Sequence, residues 1–334
     1  TILLTPTMIS PSSAQVFRDF FQAFPNSEWI KYYEVSSSGI REAHMEVFGA
    51  AVIPGYHFEK ASYILSFDAD FLGTWLTPVE FTRDYAATRE VSKENPHMSM
   101  HVQVESALSM TGSNADERYP VTPREGKLML AAIYNKLAAA SGLPNVKAAP
   151  CTSDVDGMVQ NLLEQKGTSI VLSGSNDPAV QKMVAGINYM LGNYGSTLDL
   201  ERCINVKRGD DRKFSGFLQE LASGGVDNLI MMDVNPAYSV DGFDLTKAGF
   251  TLYMGTALNE TAEASKVLCP IPHYLEAWGD AEPVNGSYSL QQPCIHPIFN
   301  TRSFQDSLLA WSGVETSYSE LLEQWWKDNI APPG

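Results

Sequence analysis

Tyr63-Ile64-Leu65-Ser66-Phe67-Asp68-Ala69-Asp70-Phe71-Leu72-Gly73-Thr74-Trp75 is an apolar run that breaks into an acidic turn. Residues 63–67 carry one hydroxyl, Ser66, and otherwise fit a strand covered on both faces, as in a parallel sheet. Two carboxylates, a glycine and a threonine follow at once. In open α/β sheets ligands bind outside the carboxyl ends of the strands, so this turn is the first place to look for a site. Asn228-Leu229-Ile230-Met231-Met232-Asp233-Val234-Asn235-Pro236 has the same make-up: an apolar run, an Asp, then a turn. Two such pieces predict two similar halves, with any ancestral ligand between them.

The surrounding sequence alternates strands and helices. Ile2 to Leu4 reads as a first strand. A helix follows from Ser10-Pro11 or Ser12, with Val16, Phe17, Phe20, Phe21 and Phe24 on its inner side. Trp29 to Val35 is the next strand, and Ile40 to Phe48 a short helix stopped by Gly49. Thr77-Pro78-Val79-Glu80 opens a helix that should run to about Lys93, with Thr77 as its cap. Met100 to Val104 is a strand, and Thr111 to Arg118 a polar loop at its carboxyl end. Thr122-Pro123-Arg124-Glu125 opens a helix closed by Gly142, with Pro144 just beyond, which marks a boundary.

After that boundary the alternation restarts. Asp154 to Gln165 and Phe214 to Ser223 read as helices, and Asp177-Pro178 caps another through Leu191. Thr168 to Leu172, the stretch at Asn228, Phe250 to Tyr253 and Lys266 to Leu268 read as strands. Beyond Pro270 regular structure thins to two helices, near Ser303 to Trp311 and from the capping box Ser317-Tyr318-Ser319-Glu320. Leu321, Leu322, Trp325 and Ile330 should anchor the last helix. The expected fold is α/β, with two doubly wound, mainly parallel-sheet lobes at 1–145 and 146–270 and a return segment at 271–334.

The chain of 334 residues is 44% apolar, as a well-packed globular protein is, and carries a net charge of −16. That charge argues against nucleic acid, which needs surplus Lys and Arg, and against an anionic membrane surface. It suits either a cationic partner or a plain acidic surface. No apolar run approaches the ~20 residues that cross a bilayer. A start at Thr1 and the linker-like Ala331-Pro332-Pro333-Gly334 lead to the expectation of a piece of something longer.

Asp68 and Asp70, two apart in extended chain, share a face. They could be acid–base partners or metal ligands; the plainer alternative is that they bond backbone amides at the mouth of the next helix. Ser173-Gly174-Ser175-Asn176, between a strand and a helix, could present N–H groups to a phosphate or be a tight turn. Neither dinucleotide nor P-loop glycine spacing occurs. Cys151, Cys203, Cys269 and Cys294 form no C-x-x-C pair. They are expected as buried free thiols, with a Cys269–Cys294 disulfide as the alternative. His97 and His101 have four-residue spacing but Pro96 argues against a helix there; His273 and His296 flank the irregular region near Cys269 and Cys294, and a metal site of these four has no local ligand spacing. Asn259-Glu260-Thr261 and Asn285-Gly286-Ser287 are sequons by pattern only.

An ordered set of short stretches resembles the molybdopterin oxidoreductase (DMSO reductase) superfamily. It is most similar to the molybdopterin-oxidoreductase-like part of the large iron–sulfur subunit of bacterial alternative complex III, a quinol:electron-acceptor oxidoreductase. The stretches are Phe48-Gly49, Ile64 to Gly73, Glu105-Ser106, Thr111-Gly112 with Ala115-Asp116 and Arg118, Leu191 to Gly195, Gly225 through Asn235-Pro236, Trp278-Gly279-Asp280 and Gln292-Pro293. The cysteine cluster of active members is not present, and Asn285-Gly286-Ser287-Tyr288 stands where many carry Asn-x-Glu-Gly-Arg. No residue is named as a molybdenum ligand.

The resemblance therefore implies a cofactor-free structural domain. Gly174, Ser175, Asn176, Asp68, Asp70, Asp233 and Asn235 would be vestiges of a cofactor site. Iron–sulfur clusters and haem c would sit in neighbouring domains or subunits. Partners would be an iron–sulfur module, cytochrome c subunits and integral quinol-binding subunits, on the periplasmic side of the inner membrane. The alternatives are an active molybdopterin-dependent fragment and a two-lobed binder of a small ligand.

Overall fold

Residues 63–67 do form a strand with every side chain buried, and the alternation around it sets the architecture. The computed structural model describes residues 1–93 and 96–331. The chain opens with β1 (Ile2–Thr5), α1 (Pro11–Ala23) and β2 (Glu28–Lys31). Next come α2 (Ser38–Phe48), β3 (Ile53–Tyr56), β4 (Tyr63–Phe67), α3 (Pro78–Ala87), β5 (Met100–Glu105), α4 (Met110–Ser113), β6 (Glu117–Pro120) and α5 (Pro123–Ser141). They are followed by α6 (Asp156–Glu164), β7 (Ser169–Ser173), α7 (Pro178–Met190) and β8 (Leu198–Ile204). The remainder holds α8 (Asp211–Ala222), β9 (Asn228–Met232), α9 (Pro236–Ser239), β10 (Phe250–Gly255), α10 (Glu260–Glu263) and β11 (Val267–Pro270). A hairpin of β12 (Gly279–Val284) and β13 (Ser287–Gln291), α11 (Phe304–Trp311) and α12 (Tyr318–Asn329) complete it.

The chain divides into Ser37–Ile204 and a unit made of Thr1–Ser36 with Asn205–Gly334. This differs from the expected boundaries at 145/146 and 270/271. The Gly142–Pro144 break ends α5, but β7 beyond it pairs in parallel with β4, Tyr63 opposite Ser169. Likewise β1 pairs in parallel with β9, Leu3 opposite Ile230, which ties the first residues to the later half. Sheet pairing outweighs proximity along the chain.

In the inner unit the order is β6-β5-β4-β7, all parallel. Tyr63, Leu65 and Phe67 of β4 face α5, α6 and α7 and pack in one core with Met129, Ile133 and Leu162. An aromatic cluster that includes Phe58, Phe71 and Phe81 lies against Tyr85 and His101. β3 and β8 pair antiparallel. In the split unit the order is β11-β10-β9-β1-β2, again all parallel. The order reverses between β1 and β9, the switch point where doubly wound sheets bind ligands. Leu3, Phe17, Met232, Met254 and Leu308 fill one face; Leu4, Ile30, Phe217 and Met231 fill the other.

Several elements depart from expectation. Helix α3 starts at Pro78, but the Thr77 hydroxyl makes no cap bond and has no partner, and the helix ends at Ala87. Phe21 is only half-buried and Phe24, at the C-cap of α1, is exposed, while Val16, Phe17 and Phe20 are in the core. β2 stops at Lys31 rather than Val35. The expected polar loop at Thr111–Arg118 holds the short helix α4 and the start of β6. Strands β3 and β8 were hidden by Pro54-Gly55 and by the charged centre of Leu198–Ile204. Structure does not thin after Pro270 at once: the β12–β13 hairpin turns on Asn285-Gly286, with Gly286 at φ 79°, a sequence signal for such a turn. Leu322 anchors α12 as expected, whereas Leu321, Trp325 and Ile330 are half-buried. All four cysteines are free thiols, and only Cys203 is buried; Cys294 is exposed. Pro332, Pro333 and Gly334 of the linker-like end lie outside the described residues.

Candidate functional site

The carboxyl ends of β4, β5 and β7 bring Asp68, Asp70, Ser106, Thr111 and Gly174 together in the inner unit. Asp68 takes a left-handed backbone (φ 49°), and its N–H donates to the Val104 carbonyl at 2.8 Å. Its Oδ1 accepts the Ser106 N–H at 2.9 Å. Asp70 Oδ1 accepts both the N–H and the hydroxyl of Thr111, at 3.1 and 2.8 Å, and Oδ2 accepts the Thr74 hydroxyl at 3.2 Å. Thr111 Oγ1 in turn accepts the Leu72 N–H at 2.9 Å. Both carboxylates therefore bond backbone amides, but those of Ser106 and Thr111 beyond β5 rather than, as expected, those at the mouth of the next helix, α3.

The turn after β7 is filled in the same way. The Gly174 N–H donates to Phe67 O, that of Ser175 to Ser173 Oγ, and that of Asp177 to Ser175 Oγ. Asp177 caps α7 by accepting the Ala179 N–H at 2.9 Å, and Lys127 pairs with it at 2.8 Å. Asn176 Oδ1 accepts the Gly39 N–H at 2.8 Å. A Cβ on Gly174 would lie 2.2 Å from the Asp68 carbonyl oxygen, so glycine is needed here for close packing rather than to admit a ligand. A phosphate would have to displace the Asp177 carboxylate from the α7 N-terminus, and this turn does not fit a nucleotide.

The split unit repeats the arrangement with different side chains. Asp233 is also left-handed (φ 45°); its N–H donates to Met254 O at 3.0 Å and its Oδ1 accepts the Thr256 N–H at 3.3 Å. Asn235 Oδ1 accepts the N–H and hydroxyl of Thr261 at 3.1 and 2.9 Å, and Thr261 Oγ1 accepts the Ala237 N–H at 3.0 Å. Ser109 caps α4 as Asn259 caps α10. The two pieces first paired by their sequences are thus pieces of one repeated motif. That use of Asn259, whose Nδ2 also donates to Tyr253 at 2.8 Å, gives this sequon asparagine a structural task.

Beside Asp233, at the switch point between β1 and β9, lies a cavity of about 440 Å³. Met8, Asp233, His273, Trp278, Asp280 and Tyr318 are among the residues that line it, and no Lys or Arg is among the described ones. Solvent reaches Asp233, yet desolvation by the protein around it lifts its carboxyl above the usual range. Asp280, which sequence reading did not single out as a site, is buried. It accepts hydrogen bonds from Ser10 Oγ, Ser12 Oγ (2.9 Å), Ser12 N (3.3 Å) and Trp326 Nε1 (3.0 Å). The Tyr318 hydroxyl closes the network against Ser12 at 2.8 Å. The signal was present as three serines in four residues opposite an Asp between aromatic segments, but it joins positions 270 residues apart. Carboxylates without cations suit neutral or positively charged groups and oppose a phosphate.

The histidines do not assemble. His97 and His296 are exposed, and His273 Nδ1 accepts the Leu275 N–H at 3.4 Å as the cap of a short turn. His101 is fully buried in β5, with Nδ1 3.2 Å from the Tyr85 hydroxyl and Nε2 3.3 Å from Gln103. Burial lowers its pKa to about 4. No group of three or more His, Cys, Asp or Glu among the described residues is placed to hold a metal. A second buried feature that sequence reading missed is Glu105, paired with Arg118 at 2.5 Å. Burial pulls its carboxyl up, but Ser109 and Arg118 outweigh that and hold it below the ordinary range.

No family model matches the chain. It is 25% identical over 308 residues to the menaquinone reductase, molybdopterin-binding-like subunit, of Nitratidesulfovibrio vulgaris (strain Hildenborough). The match takes in 78% of this chain and 44% of that protein, so the chain spans less than half the length of the curated relative it matches. The acetylene hydratase from Pelobacter acetylenicus superposes with a TM-score of 0.66 at 11% identity, over 94% of this chain and 55% of that one. A chain of the formyltransferase/hydrolase complex from Methylorubrum extorquens, solved with methylofuran, gives 0.58 at 12% identity over 97% and 92%. The fold is mixed α/β with mainly parallel sheets, and it resembles the domains of molybdopterin oxidoreductases.

Proposed function

We propose that this chain is a structural domain of a quinone- or quinol-linked oxidoreductase complex and carries no pterin of its own. It keeps the fold of a molybdopterin oxidoreductase and scaffolds electron-transfer modules around it: iron–sulfur clusters and cytochrome c subunits, beside integral quinol-binding subunits. The setting we assign is the periplasmic side of the bacterial inner membrane, in an assembly of the alternative complex III kind. No helix among the described residues is long and apolar enough to cross a membrane, which is in keeping with neighbours that provide the anchor.

One observation carries the reading. The turns at the carboxyl ends of the strands, where a bound nucleotide would need free donors, spend those donors on the protein itself: Thr111 on Asp70, Thr261 on Asn235, Ala179 on Asp177. The name of the relative, a molybdopterin-binding-like subunit of a menaquinone reductase, supports the kind of complex. A second reading, a binding protein for a small ligand, is favoured only by the switch-point cavity. Purification of the full-length protein from its native membranes separates the two. The scaffold reading expects co-purification with haem c and iron–sulfur subunits and with quinone-dependent activity. Recovery as a lone monomer that retains a small molecule would reject it.

A further inference from the structure

We propose that the surface formed by residues 274–299 docks a separate subunit that presents an apolar centre ringed by Lys and Arg. The inference rests on the reading of the chain as part of a complex. Large apolar side chains crowd this short segment: Phe299 is 75% exposed, Ile298 70%, Tyr274 62% and Leu290 52%, with Trp278 and Ile295 beside them. Contiguous exposed apolar surface of this kind, rich in aromatic residues, marks interaction sites.

The segments of this patch at 273–277 and 291–298 are tied together through their backbone and the Gln291 side chain. Glu276 accepts the Ile298 N–H with Oε1 (3.1 Å) and the His273 N–H with Oε2 (3.1 Å). The Leu275 carbonyl accepts the N–H groups of Cys294 and Ile295, at 2.7 and 3.1 Å. Gln291 Nε2 donates to the Tyr274 carbonyl at 2.9 Å and to that of Ala277 at 3.2 Å. The apolar side chains are thus held outward by a fixed loop, which lowers the entropy cost of binding.

A second observation concerns the adjoining sheet edge. β13 is the end strand of its sheet and pairs on one side with β12. It carries exposed Tyr288 and Leu290, and neither Lys nor Pro occurs in Ser287–Gln291. Edge strands left free in solution are usually blunted by such residues. Charge narrows the occupant. Residues 274–299 hold Glu276, Asp280 and Glu282 and neither Lys nor Arg. A second copy of the chain would set acid against acid, whereas a basic rim would be drawn in.

The test uses the full-length protein in its native complex, with a photo-reactive amino acid at Phe299 and, separately, at Leu290. Both should cross-link to one and the same other subunit, through a segment that contains Lys or Arg. The double variant Ile298→Asp, Phe299→Asp should weaken retention of that subunit at least tenfold with no change in the thermal melt of the chain. Cross-links to another part of the same polypeptide or to a second copy would overturn the proposal. So would full retention of the subunit by the double variant. A chain found in no complex would remove the scaffold reading and this inference together; an intact complex with no cross-link from either position would remove this inference alone.

Discussion

Thr261 gives both its backbone N–H and its hydroxyl to one atom, Oδ1 of Asn235, at 3.1 and 2.9 Å. Asn235 is a carboxamide, so the position needs an acceptor and not a charge. The inner unit has Asp70 in the same relation to Thr111. Asp70→Asn should therefore cost less than about 1 kcal/mol of stability, while Asp70→Ala, which orphans the Thr111 N–H, should cost about 2–3 kcal/mol. Urea unfolding midpoints check this. Equal damage from the two substitutions would show that the position needs the charge and not only an acceptor.

Gly174 packs on the Asp68 carbonyl, where a Cβ would stand 2.2 Å away. Gly174→Ala should destabilise by about 1–3 kcal/mol, because the obstacle is backbone and cannot swing aside. Gly157, inside α6, has nothing within 4 Å of its would-be Cβ. Gly157→Ala should be neutral or stabilise by about 0.5 kcal/mol through helix propensity. The pair, measured by the same denaturant titration, separates close packing from mere glycine removal.

His101 sets a dependence on pH. Its pKa falls from 6.5 to about 4 on folding because burial disfavours the imidazolium. The unfolded chain binds the extra proton, so stability is full above pH 6.5 and declines as pH drops towards 4, by about 3 kcal/mol in all. His44, also lowered by burial, adds to the slope. Asp116, held down first by its bond to Arg89, and Glu105 lose their contributions only as pH falls through the carboxylate range. Between pH 6.5 and 5 the slope of His101→Gln should be shallower than that of the parent chain. An unchanged slope would show that this ring is not held neutral.

Asp280 collects four donors from two segments, residues 10–12 and Trp326. Asp280→Ala should cost about 3 kcal/mol, since buried hydroxyls and an indole N–H lose a charged acceptor together. The same substitution should shift tryptophan emission as Trp326 loses its partner. If stability drops without any spectral change, the network is not built around this carboxylate.

How much of this was legible depends on the range of the interaction. The strand at Tyr63–Phe67, the turn at Asp68 and its relative at Asp233 could be read because composition and local turn chemistry define them. That Asp70 bonds a backbone amide was expected, but its partner Thr111, 41 residues on, carries no local mark. The unit boundary could not be read, because the parallel pairing of β4 with β7 and of β1 with β9 leaves no local mark. The Asp280 network joins residues 10–13, 280, 318 and 326, each ordinary in its own context. Asn285-Gly286 is a different case: the hairpin signal is local, carried by the same residues that match a sequon.

On the proposed function the chain keeps a molybdopterin-oxidoreductase fold without a pterin of its own. Metal analysis of the purified native complex, with molybdenum and tungsten quantified against this chain, tests it most directly. The expected result is iron from clusters and haem, with molybdenum and tungsten far below one per chain. One molybdenum or tungsten per chain, with a pterin released on denaturation, would contradict the claim.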